Sequence, residues 1–302
     1  AAFTPKQADL YRAVMREEIG RLIDDWGPRG AFDFEHFVSY YPISVLCRMI
    51  GASTGAIDSL RASLEALGLA MSMDPQYLPE LQRGMGVLDV FVRDLAARRR
   101  AGERPGPDGD LLDLLLATRE AGGMDEEELA NLMIFLFGGG YDTSKNVLTL
   151  ILHTLLDKPE IYARCAESLE YCRKVTNETL RFHAPGTATR KVVRAFVYRG
   201  VRFAEGSLVM FPWGMSGRDA TAVPDPDRFD PDRAGSRHSH FAFGLGAHMC
   251  LGQHIARVQI EEGLHVIARR LRDPVLAGEV GWRPFPGVWG IKGLPIRFEH
   301  AA

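Results

Sequence analysis

The stretch His240-Phe241-Ala242-Phe243-Gly244-Leu245-Gly246-Ala247-His248-Met249-Cys250-Leu251-Gly252 decides how the rest of the chain is read. It runs straight into a helical pattern, because Leu251, Ile255, Ala256, Val258, Ile260, Leu264, Ile267 and Ala268 share one broad face. Cys250 therefore stands where a glycine-rich turn delivers the chain into a helix N-terminus. Unpaired N–H groups and the positive end of the helix dipole favour a thiolate there, and a thiolate is a nucleophile or a soft metal ligand. Gly244 and Gly246 permit the positive φ of a tight turn, and Gly252 lets backbone approach something flat and bulky. Phe243 is placed to wall off the sulfur, and His248 adds a polar donor close before it. Two plainer readings stand beside this one. Cys250 could be a buried free thiol in a turn. Alternatively, His238, His240, His248 and Cys250 could form a mixed zinc site, although their spacings do not match the usual paired knuckles.

The 302 residues are 46% hydrophobic and 25% charged, which suits a globular chain with a large core, in one large or two medium domains. A formal charge of −3 gives no reason to expect nucleic acid as a partner. Cys47, Cys165, Cys172 and Cys250 lack a disulfide-framework spacing, and the first three fall in helical patterns. They read as reduced thiols of a cytoplasmic protein. No signal peptide is visible, and the longest apolar run, Leu132 to Phe137, is far too short to span a bilayer. The expectation is a soluble, cytoplasmic chain with no membrane segment.

Thr4-Pro5-Lys6-Gln7 is a helix start, and Leu10, Val14, Ile19, Leu22, Ile23 and Trp26 carry that helix to Gly27-Pro28. A second helix runs through Phe37, Tyr41, Val45, Leu46 and Ile50 to Gly51, with further helical patterns at about 56–71, 79–100 and 111–120. Residues 101–109 read as a surface linker. Asp125 caps a helix that extends to about Asp157, across Gly138-Gly139-Gly140-Tyr141-Asp142-Thr143. Each glycine costs about 1 kcal/mol against alanine in a helix. Either the helix ends there, or it opens into a groove that a large group approaches closely. Pro159 opens another helix, and the pattern over Tyr171–Phe182 carries Glu178 and Arg181 on one side. Strands follow at Thr189–Tyr198 and Ser207–Phe211, as a small antiparallel sheet, and Pro224–Arg233 is a proline-rich coil.

Taken in order, Gly139-Gly140-Tyr141-Asp142-Thr143, Glu178-Thr179-Leu180-Arg181, Pro226-Asp227-Arg228-Phe229 and the cysteine loop resemble the motifs of the cytochrome P450 family. The resemblance runs from about Ala2 to the C-terminus and implies a mainly α fold with a small β region, one domain over residues 1–302. It implies Cys250 as the axial thiolate of a haem b iron. Gly139, Phe243, Gly244, His248 and Gly252 would contact the haem, with Arg190 and His248 as donors to its propionates. Asp142 and Thr143 match the acid and alcohol that deliver protons during oxygen activation. Glu178, Arg181 and Arg228 match a structural triad, and Pro185–Thr189 and Pro286–Trp289 match segments lining the substrate pocket. The family's N-terminal strands, first helices and substrate-covering loop have no counterpart here, which implies a fragment or a naturally shortened member.

The function so implied is a haem-thiolate monooxygenase that inserts one oxygen atom from O2 into an apolar small molecule such as a terpenoid, fatty acid or steroid. The hint of apolarity comes from Phe135, Phe137, Val288 and Trp289. No Gly-x-Gly-x-x-Gly fingerprint is present, so electrons from NAD(P)H would arrive only indirectly, through a ferredoxin and its reductase. Arg257, Arg269 and Arg270 are candidates for a basic patch facing the ferredoxin, or simply a solvated helix face. The rival from another class is a non-catalytic haem- or ligand-binding fragment of such a fold. A peroxide-using relative is disfavoured, because Asp142 and Thr143 keep the oxygen-activating pair.

Overall fold

Side-chain caps mark the starts of five of the eleven α-helices among the described residues. The computed structural model describes residues 2–104, 109–233 and 240–301. Thr4 starts α1 (Pro5–Leu10), its hydroxyl accepting from the Gln7 N–H at 3.3 Å. The single first helix expected from the pattern is in fact two. Tyr11, at φ −85° and ψ −4°, re-aims the chain before α2 (Arg12–Trp26). After β1 (Ala31–Asp33), the Asp33 carboxylate accepts from the Glu35 and His36 N–H groups at 2.9 and 3.3 Å and starts α3 (Phe34–Ile50). Gly51, at φ +67°, ends it. Then come α4 (Ile57–Ala70), α5 (Leu78–Arg100) and α6 (Leu111–Glu120). Residues 105–108 of the expected linker lie outside the described residues.

The central helix α7 (Glu126–Leu155) starts at a reciprocal capping box. The Asp125 carboxylate accepts from the Glu128 N–H, and the Asp125 N–H donates to Glu128 Oε2, both at 2.8 Å. It then continues for 30 residues, about 45 Å at the helical rise. It neither ends nor opens at the glycines, as the sequence reading had it. Packing supplies the reason. A Cβ on Gly138 would lie 2.6 Å from Leu67 Cδ2 of α4, and one on Gly140 would lie 3.0 Å from Leu46 Cδ1 of α3. Two of the three glycines thus let neighbouring helices close on α7, and the dispersion gained offsets their propensity cost.

The remaining helices are α8 (Pro159–Glu167), α9 (Leu169–Phe182), the short α10 (Trp213–Ser216) and α11 (Gln253–Arg270). Two apolar cores meet at α7. One joins α2, α3, α9 and α11 to Val147, Leu150 and Ile151 of its C-terminal half, and the other joins α4, α5 and α6 to Met133, Ile134 and Phe137. No helix among the described residues is long and apolar enough to cross a membrane.

The strand expected over Thr189–Tyr198 is two strands. β2 (Thr187–Lys191) pairs antiparallel with β5 (Leu208–Pro212), and β3 (Phe196–Tyr198) with β4 (Val201–Phe203). The C-terminal strands β6 (Leu271–Leu276) and β7 (Pro295–His300) were absent from the sequence reading, as was β1; the three form one sheet in the order β1-β7-β6. β6 leaves α11 without a break and carries Pro274, so no turn signal announces it.

A buried ion pair holds the coil between β5 and the cysteine loop. Arg181 donates to Glu178 through Nε (2.9 Å) and Nη2 (2.6 Å), and both side chains are fully buried. Its remaining bonds go to the carbonyls of Gly217, Pro226 and Arg228 at 2.6, 2.8 and 3.0 Å. The expected third member, Arg228, is corrected by the structure. It contributes its carbonyl, while its guanidinium is 71% exposed and lies 3.6 Å from Asp230. Arg233 takes the place instead, with Nε 3.6 Å from Glu178 Oε1 and Nη2 bonded to the Asp225 and Arg228 carbonyls. The exchange follows from reach: Arg228 bends its backbone toward Arg181, which turns its side chain outward. Urea unfolding at constant m-value tests this assignment. Arg181→Ala should cost about 3–5 kcal/mol by stranding Glu178. Arg233→Ala should cost about 1–3 kcal/mol, and Arg228→Ala no more than about 0.5 kcal/mol.

Candidate functional site

Between α7 and the cysteine loop lies a cavity of about 450 Å³ with largely apolar walls. The loop forms one wall through Phe243, His248, Cys250 and Gly252, and α7 forms the opposite flank through Gly139, Gly140, Thr143 and Val147. Leu46 and Met49 of α3, with Pro185, Gly186 and Trp213, complete it. Hydrogen bonds shape the loop. The Cys250 N–H donates to the Phe243 carbonyl (2.8 Å), and the Gly244 N–H donates to that of Phe241 (2.8 Å). Gly244 and Gly246 both adopt φ +71°, as the turn reading required.

Cys250 is the one cysteine of the four whose surface is open; Cys47, Cys165 and Cys172 are buried. Burial pushes the Cys47 thiol up to about 12. The Cys250 thiol is also raised: the walls remove hydration, and the Gly252 N–H offsets this only in part. The thiolate expected from the helix N-terminus is therefore not favoured by the polypeptide alone. α11 begins at Gln253, so the sulfur meets one backbone donor rather than a full first turn of them. A cation bound against the sulfur would supply the missing stabilisation.

The structure separates two neighbours that the sequence placed together. Thr143 is partly exposed in the cavity and donates its hydroxyl to the Gly139 carbonyl at 3.1 Å. Asp142 is 3% exposed and does not line the cavity; it pairs with Arg283 and lies 3.3 Å from Lys145 Nζ. Arg283 and Lys145 were missed, as were Leu46, Met49 and Trp213. Nothing in the local pattern marks an arginine 141 positions away as the partner of Asp142.

The other expected residues divide. His248 lines the cavity and is exposed, whereas Arg190 lies on the exposed end of β2, donating to the Thr189 carbonyl at 2.9 Å, and does not line it. Pro185 and Gly186 line the cavity, but Thr187, Ala188 and Thr189 do not. Val288 is buried and Trp289 stacks on Trp282 at 5.2 Å; the Trp289 N–H donates to the Pro185 carbonyl at 2.8 Å. That turn supports the wall rather than forming it. Phe135 and Phe137 both line the cavity; Phe135 is 63% exposed, while Phe137 is buried and packs edge-on against Phe91. The basic patch is also corrected. Arg257 lies over the Phe243 ring at 4.8 Å and bonds Asn177, Arg270 bonds Asp24 at 2.8 Å, and only Arg269 faces solvent.

Among the described residues, no group of three or more His, Cys, Asp or Glu could hold a metal ion, which removes support from the zinc reading. His240 turns away, its Nδ1 accepting from the Ala242 N–H at 3.2 Å, and His238 lies outside the described residues. A different group fits. A Cβ on Gly139 or on Gly252 would meet no atom within 4 Å, and both glycines open onto the cavity. Soft sulfur, two bare backbone faces and apolar walls suit a large flat metal-bearing ring.

Comparison with known proteins points the same way. A family model described as Cytochrome P450 matches residues 69–279. Luteothin monooxygenase of Streptomyces thioluteus is 33% identical over 304 residues, 99% of this chain and 73% of that protein. The 6-deoxyerythronolide B hydroxylase of Saccharopolyspora erythraea is 29% identical, covering 98% of this chain and 73% of the relative. Among solved structures, P450BioI bound to an acyl carrier protein superposes with a TM-score of 0.87 at 24% identity, over 99% of this chain and 77% of that one. The P450 enzyme CxnD, which forms a C–S bond in chuangxinmycin biosynthesis, gives 0.87 at 26% identity, over 99% and 73%.

Two histidines beside the site carry a pH prediction. Burial, then Arg218, lowers His183 to about 4, and burial, then Arg257, lowers His240 to about 4. Both rise to about 6.5 on unfolding, so the unfolded chain binds more protons between those values. Their contribution is whole above about pH 6.5 and is lost as pH falls toward 4, at up to about 1.4 kcal/mol per unit for each. Urea unfolding between pH 7 and pH 5 should show this slope, and His183→Asn should make it shallower.

Proposed function

The chain belongs to the cytochrome P450 family, and from that premise we propose that it is a haem-thiolate monooxygenase with Cys250 as the axial ligand. The observation that carries the reading is one cavity shared by the Cys250 sulfur, the bare faces of Gly139 and Gly252, and the Thr143 hydroxyl. When bound, haem b with a thiolate ligand supplies the activation of O2 and favours cleavage of its O–O bond. The chain's own residues do the rest. Phe243, held from behind by Arg257, shields the sulfur from water, and Gly244 keeps the loop turned toward it. His248 is placed at the rim to donate to a propionate; Arg190 reaches one only if its side chain leaves the Thr189 carbonyl. Thr143 holds a proton at Oγ1 inside the cavity, and Asp142 resupplies it from the neighbouring position on α7.

The walls are apolar, which supports an apolar organic substrate, and the relatives' oxygenase names agree with insertion of one oxygen atom. Electrons are proposed to come from NAD(P)H through a ferredoxin reductase and a ferredoxin, in the cytoplasm. With α7 shared by both cores, residues 1–302 are proposed to act as one domain.

The test is the absorption spectrum of the haem-loaded, reduced, carbon monoxide-treated protein beside Cys250→Ala. A thiolate-type shift of the main band in the parent alone is the expected result; identical spectra would overturn the ligand assignment. Thr143→Ala should divert electrons from product by on the order of tenfold or more. Unchanged coupling removes that role, and haem uptake without any turnover in the parent favours a non-catalytic binding protein.

A further inference from the structure

Asp142 and Thr143 are consecutive on α7, and consecutive helical residues point about 100° apart. Thr143 faces the cavity, and Asp142 faces a pocket of charge behind the helix. That pocket is built by a C-terminal hairpin, in which the Arg283 N–H donates to the Gly290 carbonyl (3.0 Å) and the Lys292 N–H to that of Gly281 (2.9 Å). The hairpin presents two cations. Arg283, with its side chain 1% exposed, bonds Asp142 Oδ1 and lies 3.8 Å from Glu65 Oε1; Lys292 lies 2.8 Å from Glu65. Lys145 contributes the third, at 2.7 Å from both Glu35 and Glu65. Glu35, Glu65 and Asp142 are thus balanced by Lys145, Arg283 and Lys292, with the Tyr141 hydroxyl at 3.4 Å from Glu65.

Within this cluster Asp142 is seated by shape as well as charge. A Cβ on Gly68 of α4 would collide with Asp142 Oδ2 and would lie 2.9 Å from Arg283 Nη2. Gly68 therefore leaves the room that the carboxylate occupies. Oδ1 is held by Arg283, while Oδ2 is buried without a hydrogen-bond partner. A carboxylate tethered at one oxygen keeps the other available for a proton carrier such as an internal water.

We infer that Arg283 is the positioning residue of Asp142: with Gly68 it seats the carboxylate behind α7, and this seat sets how Asp142 serves Thr143. The inference rests on the proposed proton-delivery role of that pair. No contact between Arg283 and the reacting molecule is required, so it is not itself a catalytic residue.

The test joins a positional readout to a functional one. The haem-loaded protein is treated with a water-soluble carbodiimide and an amine, and labelled carboxylates are mapped by mass spectrometry. Asp142 should be protected in the parent and in Arg283→Lys, and labelled at least about fivefold more in Arg283→Gln and in Gly68→Ala. Fully buried Glu178 serves as the internal control for an intact fold. Gly68→Ala displaces the carboxylate without deleting a charge, so a collapsed Arg283→Gln fold leaves the test standing. Coupling of electron use to product should fall in Arg283→Gln and Gly68→Ala, recover in Arg283→Lys, and fall no further when Arg283→Gln is added to Asp142→Asn. Unchanged labelling of Asp142 in both displaced variants, or full additivity of the double variant, would overturn the inference. Normal coupling in Asp142→Asn would instead remove the proton-delivery reading, while the labelling still decides the seat.

Discussion

A buried guanidinium must satisfy five N–H donors in a fixed plane, and whatever satisfies them is held in place. Arg181 meets this demand with both Glu178 oxygens and with carbonyls of Gly217, Pro226 and Arg228. Those carbonyls belong to the irregular chain after α10, where described residues 217–233 form neither helix nor strand. The Asp230 N–H adds a 2.8 Å bond to Glu178, and Arg233 closes the assembly from the same segment. The described part of that segment is thereby referenced to α9, and the start of the cysteine loop is tied to the same region where the Phe241 N–H donates to Ser216 Oγ at 3.3 Å. The rest of the site depends on that reference.

α7 carries a second division of labour. Its two faces at residues 142 and 143 look into opposite environments, one charged and dry, the other an apolar cavity. Burial opposes the Lys145 charge, but Asp142, Glu65 and Glu35 outweigh it and raise the ammonium above its ordinary range. Burial likewise opposes the Glu65 carboxylate, yet Lys145, Arg283 and Lys292 hold it well below the usual carboxylate range. Each group is thus charged because the others are, and removing any one leaves an uncompensated charge. The cluster ties α3, α4, α7 and the C-terminal hairpin together from charges far apart in the chain.

The cysteine loop shows the opposite economy. Its backbone is closed by its own hydrogen bonds, but its sulfur is raised above an ordinary thiol because protein walls desolvate it and one N–H does not compensate. Such a group is prepared for a cationic partner rather than sufficient in itself. The bare faces of Gly139 and Gly252 leave the matching space.

The sequence by itself determined where several helices lie, because periodicity and caps are local: α6 has the bounds Leu111–Glu120 that its pattern gave, and α7 starts at the Asp125 cap. It also determined the family, since the cysteine loop and the Glu178–Arg181 pair lie within short windows. The tertiary structure alone decided what depends on distant partners. The unbroken course of α7 through three glycines depends on Leu46 and Leu67, which no pattern within α7 contains. The replacement of Arg228 by Arg233 depends on which way the backbone turns to reach Arg181. The ion pair that seats Asp142 on the face away from the cavity depends on Arg283, 141 residues on, and the β1-β7-β6 sheet pairs the start of the chain with its end. Local patterns specify which residues form an element, but charge pairing, packing and strand partnership are set across long separations, where only the folded chain supplies the partner.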